Sequence, residues 1–124
     1  MVSAAARTVV IVDDHPSFRT IARLTLEAEG FVVVGDAANG ESGISEVVRL
    51  QPDVAVLDIG LPDIDGFEVA RRLVAARVSS AIVLTSSRDA SDFGSLLADS
   101  GARGFIAKAD LSGDALRALV QGAG

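Results

Sequence analysis

Three carboxylates and one ammonium stand where short apolar runs of the sequence end. Asp13 and Asp14 come directly after the first run, Asp58 follows the third run, and Lys108 follows the fifth. Carboxylates held about 4 Å apart repel by about 4 kcal/mol per pair at an effective dielectric constant of ~20, so such a group needs a bound cation. Oxygen ligands favour a hard cation, and Mg²⁺ is the usual choice. The residue types therefore predict a Mg²⁺ site.

The same carboxylates could also carry out covalent chemistry. A carboxylate can attack phosphorus to form an aspartyl phosphate, and a metal ion with a lysine ammonium makes the attack of one anion on another feasible. The fourth apolar run ends at Thr85, Ser86 and Ser87, where a hydroxyl could donate a hydrogen bond to a phosphoryl oxygen. These residues predict phosphoryl transfer to a carboxylate.

Five apolar runs must bring these groups together. They begin 22, 23, 27 and 23 residues apart, and most are continuous rather than alternating, which is typical of strands buried on both faces. The fifth run contains Gly104 and is predicted to be weaker and at an edge. The runs cover residues 9–12, 31–34, 54–57, 81–84 and 104–107.

Segments with helical character lie after each run. Pro16 favours a helix start, and a stripe of Phe18, Ile21, Ala22 and Thr25 is predicted to face the core. In the third helix, the predicted inward residues are Val69, Ala70, Leu73 and Val74. The predicted helices cover residues 16–29, 41–50, 67–76, 90–99 and 112–121.

A fivefold alternation of strand and helix predicts a parallel sheet with helices on both faces. Ligands bind such sheets outside the carboxyl ends of the strands, which is where the carboxylates and Lys108 are expected. Gly35 and Asp36 follow the second run but are predicted to lie to one side. Asp63 and Asp65 are predicted to be turn residues.

Composition narrows the class of protein. The 124 residues fit one domain, with an ordered core expected over 7–121 and a flexible N-terminus over 1–6. The net charge of −6 argues against direct nucleic-acid binding, and apolar runs of four or five residues are too short to cross a membrane. The chain lacks Cys, which excludes disulfides and thiolate sites and is compatible with the cytoplasm.

Five motifs stand out, at residues 12–16, 53–62, 65–66, 85–86 and 101–108. In this order and spacing, they resemble the receiver domain of two-component response regulators over about residues 7–121. The start at Asp13-Asp14-His15-Pro16 is most similar to regulators that carry a LuxR-type helix-turn-helix output domain. The resemblance implies the flavodoxin-like (βα)5 fold, a doubly wound five-stranded parallel sheet of strand order 2-1-3-4-5.

The resemblance also implies roles for the residues of the site. Asp58 is expected to be the phosphoacceptor and a metal ligand. Asp14 would bind Mg²⁺ directly, Asp13 would bind it largely through water, and the backbone carbonyl of Gly60 would complete the ligand set. Lys108 would contact the phosphoryl group.

Two residues are expected to form the switch. Ser86 is preferred to Thr85 as the switch hydroxyl because, by resemblance, that hydroxyl stands 22 residues before Lys108. Phe105 stands in place of the aromatic side chain that moves inward when Ser86 is drawn to the phosphate.

Simpler interpretations exist for each of these residues. Asp13 and Asp14 could cap the first helix, Lys108 could be a surface charge, and Phe105 could be core filler. Because they occur together, the metal and phosphoryl roles are preferred. His15 is the only histidine, and it is predicted to be exposed or capping because the oxygen ligands already suffice.

The resemblance implies a signalling module rather than an enzyme with a separate substrate, since such a domain catalyses only its own phosphorylation and dephosphorylation. A histidine kinase or phosphotransfer protein would supply the phosphoryl group. The face formed by helix 4, strand 5 and helix 5 would then form a homodimer or control a transcriptional output domain absent from this chain. Two alternatives remain, a phosphatase with an aspartate nucleophile, which would need a substrate-binding cap and a second acid, and a protein-binding module that never takes phosphate.

Overall fold

A computed structural model describes residues 6–121 of the chain. Five parallel strands form one sheet in the order β2-β1-β3-β4-β5, which confirms the predicted fold class and strand order. The predicted flexible N-terminus falls almost entirely on residues 1–5, which lie outside the described residues. The strands are β1 (Thr8–Val12), β2 (Val32–Ala37), β3 (Val54–Asp58), β4 (Ala81–Ser86) and β5 (Gly104–Ala107).

Five helices alternate with the strands. Pro16 begins the first, as predicted, and two others are capped by side chains that accept from the first turn, Asn39 from the Ser42 N–H and Asp65 from the Glu68 N–H. Across residues 6–121, no helix combines the length and apolar character needed to cross a bilayer. The helices are α1 (Pro16–Ala28), α2 (Gly40–Leu50), α3 (Gly66–Ala75), α4 (Leu96–Asp99) and α5 (Gly113–Gln121).

The sheet divides the apolar core into two layers. Strands β3 and β4 are buried along their whole length, as the continuous apolar runs predict. On one face the sheet packs against α2 and α3 through Val47 and Leu73, and on the other against α1 and α5 through Leu26 and Leu116. The two layers leave the carboxyl ends of the strands open at one edge.

The predicted fourth helix is wrong over most of its length. Residues 90–99 form a 3-10 turn at Ala90–Asp92 and only four α-helical residues in α4. Gly94 between them has φ of +56°, a left-handed conformation that interrupts a helix. Ser and Asp side chains in this segment compete for backbone hydrogen bonds, and Asp89 and Asp92 cap each other's backbone N–H groups.

Three local predictions also fail. β2 runs on to Ala37 instead of ending at Val34, because it pairs with β1 as far as Val12, with a register shift at Val9/Val10. Ile21 of α1 is 60% exposed and Val74 of α3 is 48% exposed. Both lie at the margin of their helix's apolar stripe, where period alone does not fix burial.

Candidate functional site

The register of the sheet places the predicted site residues side by side. Val12 of β1 pairs with Leu57 of β3, so Asp13 and Asp58 follow at neighbouring positions. On the other side of β3, Asp58 pairs with Thr85 of β4, and β5 ends where Lys108 begins a 3-10 turn. The carboxyl ends of the three central strands, β1, β3 and β4, and of the edge strand β5 therefore meet at one site.

Lys108 joins the two buried carboxylates. Its Nζ lies 2.6 Å from Asp13 Oδ2 and 3.4 Å from Asp58 Oδ2, and the Asp13 side chain is only 1% exposed. The ring of Phe18, on α1, lies beneath the same ammonium at 4.7 Å from its centroid to Nζ. A cation over an aromatic face is attracted by the ring quadrupole. One ammonium is thus held between two carboxylates and a ring.

Burial raises the pKa of Asp58 above its ordinary value. Desolvation of the carboxylate is the largest cause, and the neighbouring negative charge of Asp13 is the second. The Lys108 ammonium and a hydrogen bond donated by the Gly60 N–H to Asp58 Oδ1, at 3.2 Å, oppose the rise. The site therefore remains short of positive charge even with the lysine in place.

The oxygen atoms fit a divalent cation. Asp13, Asp14, His15 and Asp58 each offer one ligand atom, and these atoms lie within 4.8 Å of one another. Asp13 Oδ2 and Asp14 Oδ1 are buried and accept no hydrogen bond from residues 6–121. The close approach of Lys108 to Asp13 is therefore an ion pair without the alignment of a hydrogen bond, and the oxygen keeps lone pairs for a ligand. Buried oxygens of this kind are stabilised by a hard cation.

His15 lies closer to these oxygens than the sequence suggests. Its side chain is 62% exposed, as predicted, and it stands at the N-cap of α1, where it makes no side-chain capping bond to the described residues. Its Nδ1 lies 3.0 Å from Asp13 Oδ1 and 3.2 Å from Asp14 Oδ1. The sequence predicts no metal role for His15 because the oxygen ligands already suffice, and spacing alone does not reveal the direction of a side chain.

The two hydroxyls at the end of β4 differ in their partners. Thr85 Oγ1 is fully buried and donates to the Leu57 carbonyl at 3.3 Å. Ser86 Oγ accepts from the Arg88 N–H at 3.0 Å, and this leaves its hydrogen for donation. The geometry favours Ser86 over Thr85 as the hydroxyl that responds to a new acceptor.

Phe105 is half-buried and belongs to a row of aromatic rings. Its centroid lies 6.1 Å from that of Phe93, which lies 5.7 Å from that of Phe67. A pocket of about 440 Å³ beside it is lined by residues of β5, the turn after it and α5. The ring thus packs against the core on one side and borders open space on the other.

The loop after β3 folds back onto the strand end. The Gly66 N–H donates to the Ile59 carbonyl at 2.9 Å. A Cβ at Gly66 would stand 2.5 Å from the Asp58 carbonyl oxygen, so close approach is the reason for glycine there. Asp63 accepts from the N–H groups of Gly40 and Glu41, and this lowers its pKa to about 2. Asp63 thus accepts hydrogen bonds from the start of α2, and Asp65 caps α3.

Comparison with known proteins gives the family of the chain. The family described as the response regulator receiver domain matches residues 9–121. The chain belongs to this family. The receiver domain is similar in structure to the signal receiver domain of NarL from Mycobacterium tuberculosis, with a TM-score of 0.88 and 29% identity, over 96% of this chain and 99% of that one. A LuxR-family two-component response regulator from Aurantimonas gives a TM-score of 0.83 at 27% identity, over 94% of this chain and 86% of that one.

Curated relatives are longer than this receiver domain. It is 39% identical to a transcriptional regulator of Pseudomonas aeruginosa over 81% of the chain, which is 48% of that protein. It is 35% identical to the nitrate/nitrite response regulator NarL of Escherichia coli K12 over 94% of the chain, which is 54% of that protein. The chain spans about half the length of the curated relatives it matches.

Proposed function

We propose that this receiver domain accepts a phosphoryl group on Asp58 in a Mg²⁺-dependent reaction. The donor is a histidine kinase or phosphotransfer protein in the cytoplasm, and the receiver domain acts as a phosphoacceptor rather than as an enzyme with a separate substrate. The observation that carries the proposal is the contact of one ammonium with the buried carboxylates of Asp13 and Asp58, 2.6 and 3.4 Å away.

The residues at the site support a metal as well as a phosphoryl group. The side chains of Asp13, Asp14 and Asp58 and the carbonyl of Gly60 would hold Mg²⁺. When bound, the ion would offset the charge of these carboxylates and of incoming phosphoryl oxygens. The buried oxygens of Asp13 and Asp14 that accept no hydrogen bond from the described residues are the structural support for this ligand set.

The covalent step uses the carboxylate of Asp58. One of its oxygens forms a bond to phosphorus as the bond from phosphorus to the donor's imidazole nitrogen breaks, and that nitrogen keeps the electron pair. Lys108 pairs with a phosphoryl oxygen, and the backbone N–H of Gly60 keeps the carboxylate oriented.

Phosphorylation would then act through Ser86 and Phe105. Ser86 donates its free hydrogen to a phosphoryl oxygen, and the shift at the end of β4 lets Phe105 turn toward the space it vacates. The pocket beside Phe105 is lined by residues of β5 and α5, two of the three elements of the α4-β5-α5 face. A change of shape on that face would reach a second copy of the chain or a transcriptional output domain. A ligand or modification shifts such an equilibrium only by favouring one state.

Intact mass spectrometry with a small phosphodonor such as acetyl phosphate tests the proposal. With Mg²⁺ we expect a gain of about 80 Da, the mass of one phosphoryl group on a carboxylate. The gain should be absent with EDTA and absent in Asp58→Asn.

Asp63→Asn is the matched control, because it makes the same chemical change in a loop carboxylate that serves backbone N–H groups. It should label like the wild type. If Asp58→Asn and the wild type are labelled equally, Asp58 is not the phosphoacceptor. If labelling persists in EDTA, the reaction does not depend on the metal.

A further inference from the structure

We propose that His15 is a ligand of the metal site, and that it gives this receiver domain a preference for imidazole-binding divalent ions such as Ni²⁺ and Co²⁺ beyond that of an all-oxygen site. The inference rests on the proposed metal site and adds a nitrogen donor to it. The observation behind it is the position of His15 Nδ1, 3.0 Å from Asp13 Oδ1 and 3.2 Å from Asp14 Oδ1.

These spacings match neighbouring ligands of one ion. Two ligands at about 2.1 Å from a metal and at right angles to each other lie about 3.0 Å apart. His15 Nδ1 shows this spacing to both aspartates, and a nitrogen of the His15 ring lies within 4.8 Å of an Asp58 carboxylate oxygen. An ion among these atoms could contact the imidazole without a movement of the α1 N-terminus.

The surroundings of the ring favour ligation by Nδ1. The backbone N–H of His15 donates to Asp13 Oδ1 at 2.8 Å, which fixes the main chain beside the site. Because the side chain is 62% exposed, Nε2 can carry the hydrogen and donate a hydrogen bond to water while Nδ1 faces the carboxylates. Without an ion, Nδ1 serves instead as a hydrogen-bond partner of Asp13 Oδ1.

The choice of ion follows from the donor atoms. Carboxylates and carbonyls suit Mg²⁺, whereas imidazole suits Ni²⁺, Co²⁺ and Zn²⁺. Mg²⁺ keeps water in several positions and gains little from a nitrogen. His15 should therefore raise affinity for the later ions and leave Mg²⁺ affinity nearly unchanged.

Calorimetric titration of tag-free protein with MgCl₂, CoCl₂ and NiCl₂ tests the inference, with the wild type beside His15→Asn and His15→Phe. His15 is the only histidine and the chain lacks cysteine, so no other imidazole or thiolate can supply a nickel preference. We expect the ratio of Ni²⁺ to Mg²⁺ affinity to fall by about tenfold or more in both variants. The visible absorption of bound Co²⁺ should change as the nitrogen ligand is lost.

The outcomes separate this inference from the proposed function. If the wild type binds Mg²⁺ and the Ni²⁺ to Mg²⁺ ratio is the same in all three proteins, His15 is not a ligand and the inference fails alone. If the wild type binds none of the three ions, the metal site and this inference fail together. A loss of Mg²⁺ affinity in both variants equal to the loss for Ni²⁺ would also overturn the stated preference.

Discussion

Replacing Asp58 by Asn should make the metal-free receiver domain more stable at neutral pH. Burial and the charge of Asp13 raise the pKa of Asp58 above the ordinary value of 3.8. The folded state therefore holds the ionised carboxylate at a cost, whereas the unfolded chain does not. Asn keeps the size of the side chain and removes the charge.

Opposing charges set the size of the effect. The ligand oxygens of Asp13 and Asp58 lie within 4.8 Å, so at an effective dielectric constant of ~20 their repulsion is about 3.5 kcal/mol or more. Attraction between the Lys108 ammonium and Asp58, 3.4 Å apart, stabilises the ionised carboxylate by about 5 kcal/mol at the same dielectric constant. Desolvation, the largest cause of the raised pKa, costs several kcal/mol. We expect a net gain of about 1–3 kcal/mol, or roughly 3–12 °C in Tm for a domain of this size.

The pH dependence gives the sharper assay. The cost of ionised Asp58 is fully present above its raised folded pKa and vanishes below 3.8. The stability difference between Asp58→Asn and the wild type, from urea unfolding in EDTA, should thus be large at pH 7.5 and shrink toward pH 3.5. Asp63→Asn should instead be destabilised at pH 7.5, because the pKa of Asp63 is lowered to about 2.

One result would refute this reasoning. If Asp58→Asn is less stable than the wild type at pH 7.5 in EDTA, attraction by Lys108 outweighs burial and repulsion, and the site is not short of positive charge.

Three further changes have expected outcomes. Gly66→Ala should lower the free energy of unfolding in urea by about 1–3 kcal/mol or more, since its Cβ would meet the backbone of Asp58. A Cβ at Gly60 meets no described atom within 4 Å, so Gly60→Ala should leave the free energy of unfolding nearly unchanged. Asp65→Ala should cost about 1 kcal/mol through loss of the α3 cap, and Asp65→Ser should restore most of it. Phe18→Leu should weaken binding of beryllofluoride, a phosphoryl mimic, by about threefold to tenfold with Mg²⁺ present, because it removes the ring under Lys108. Phe18→Tyr keeps the ring and should keep the affinity. Equal affinities in the two variants would show that the ring does not contribute to binding.

Much of the site could be predicted because parallel strands align their ends. Once five buried runs are recognised, the residues that follow them must share one edge of the sheet, whichever side chains they carry. This is why Asp13, Asp58 and Lys108 could be placed together from spacing alone, and the structure brings them into contact.

The rest depends on features that spacing does not encode. The fourth helix fails at Gly94, whose left-handed backbone is a single-residue event within an otherwise helical composition. Gly66 stands at a predicted turn, yet the reason for glycine there is the backbone carbonyl of Asp58 at the end of β3. The approach of His15 to the aspartates depends on a side-chain rotamer, which sequence period cannot specify.

The cation that holds the two buried aspartates arrives last along the chain. Asp13 and Asp58 are both synthesised well before Lys108, and only pairing of β5 with β4 brings the ammonium to them. A nascent or partly folded chain that has assembled its first four strands must therefore carry uncompensated negative charge at their ends, which raises the free energy of that intermediate. Closure of the sheet by its final strand is thereby made more cooperative, and a divalent ion bound to these carboxylates should speed the maturation of the domain by offsetting their charge before Lys108 arrives.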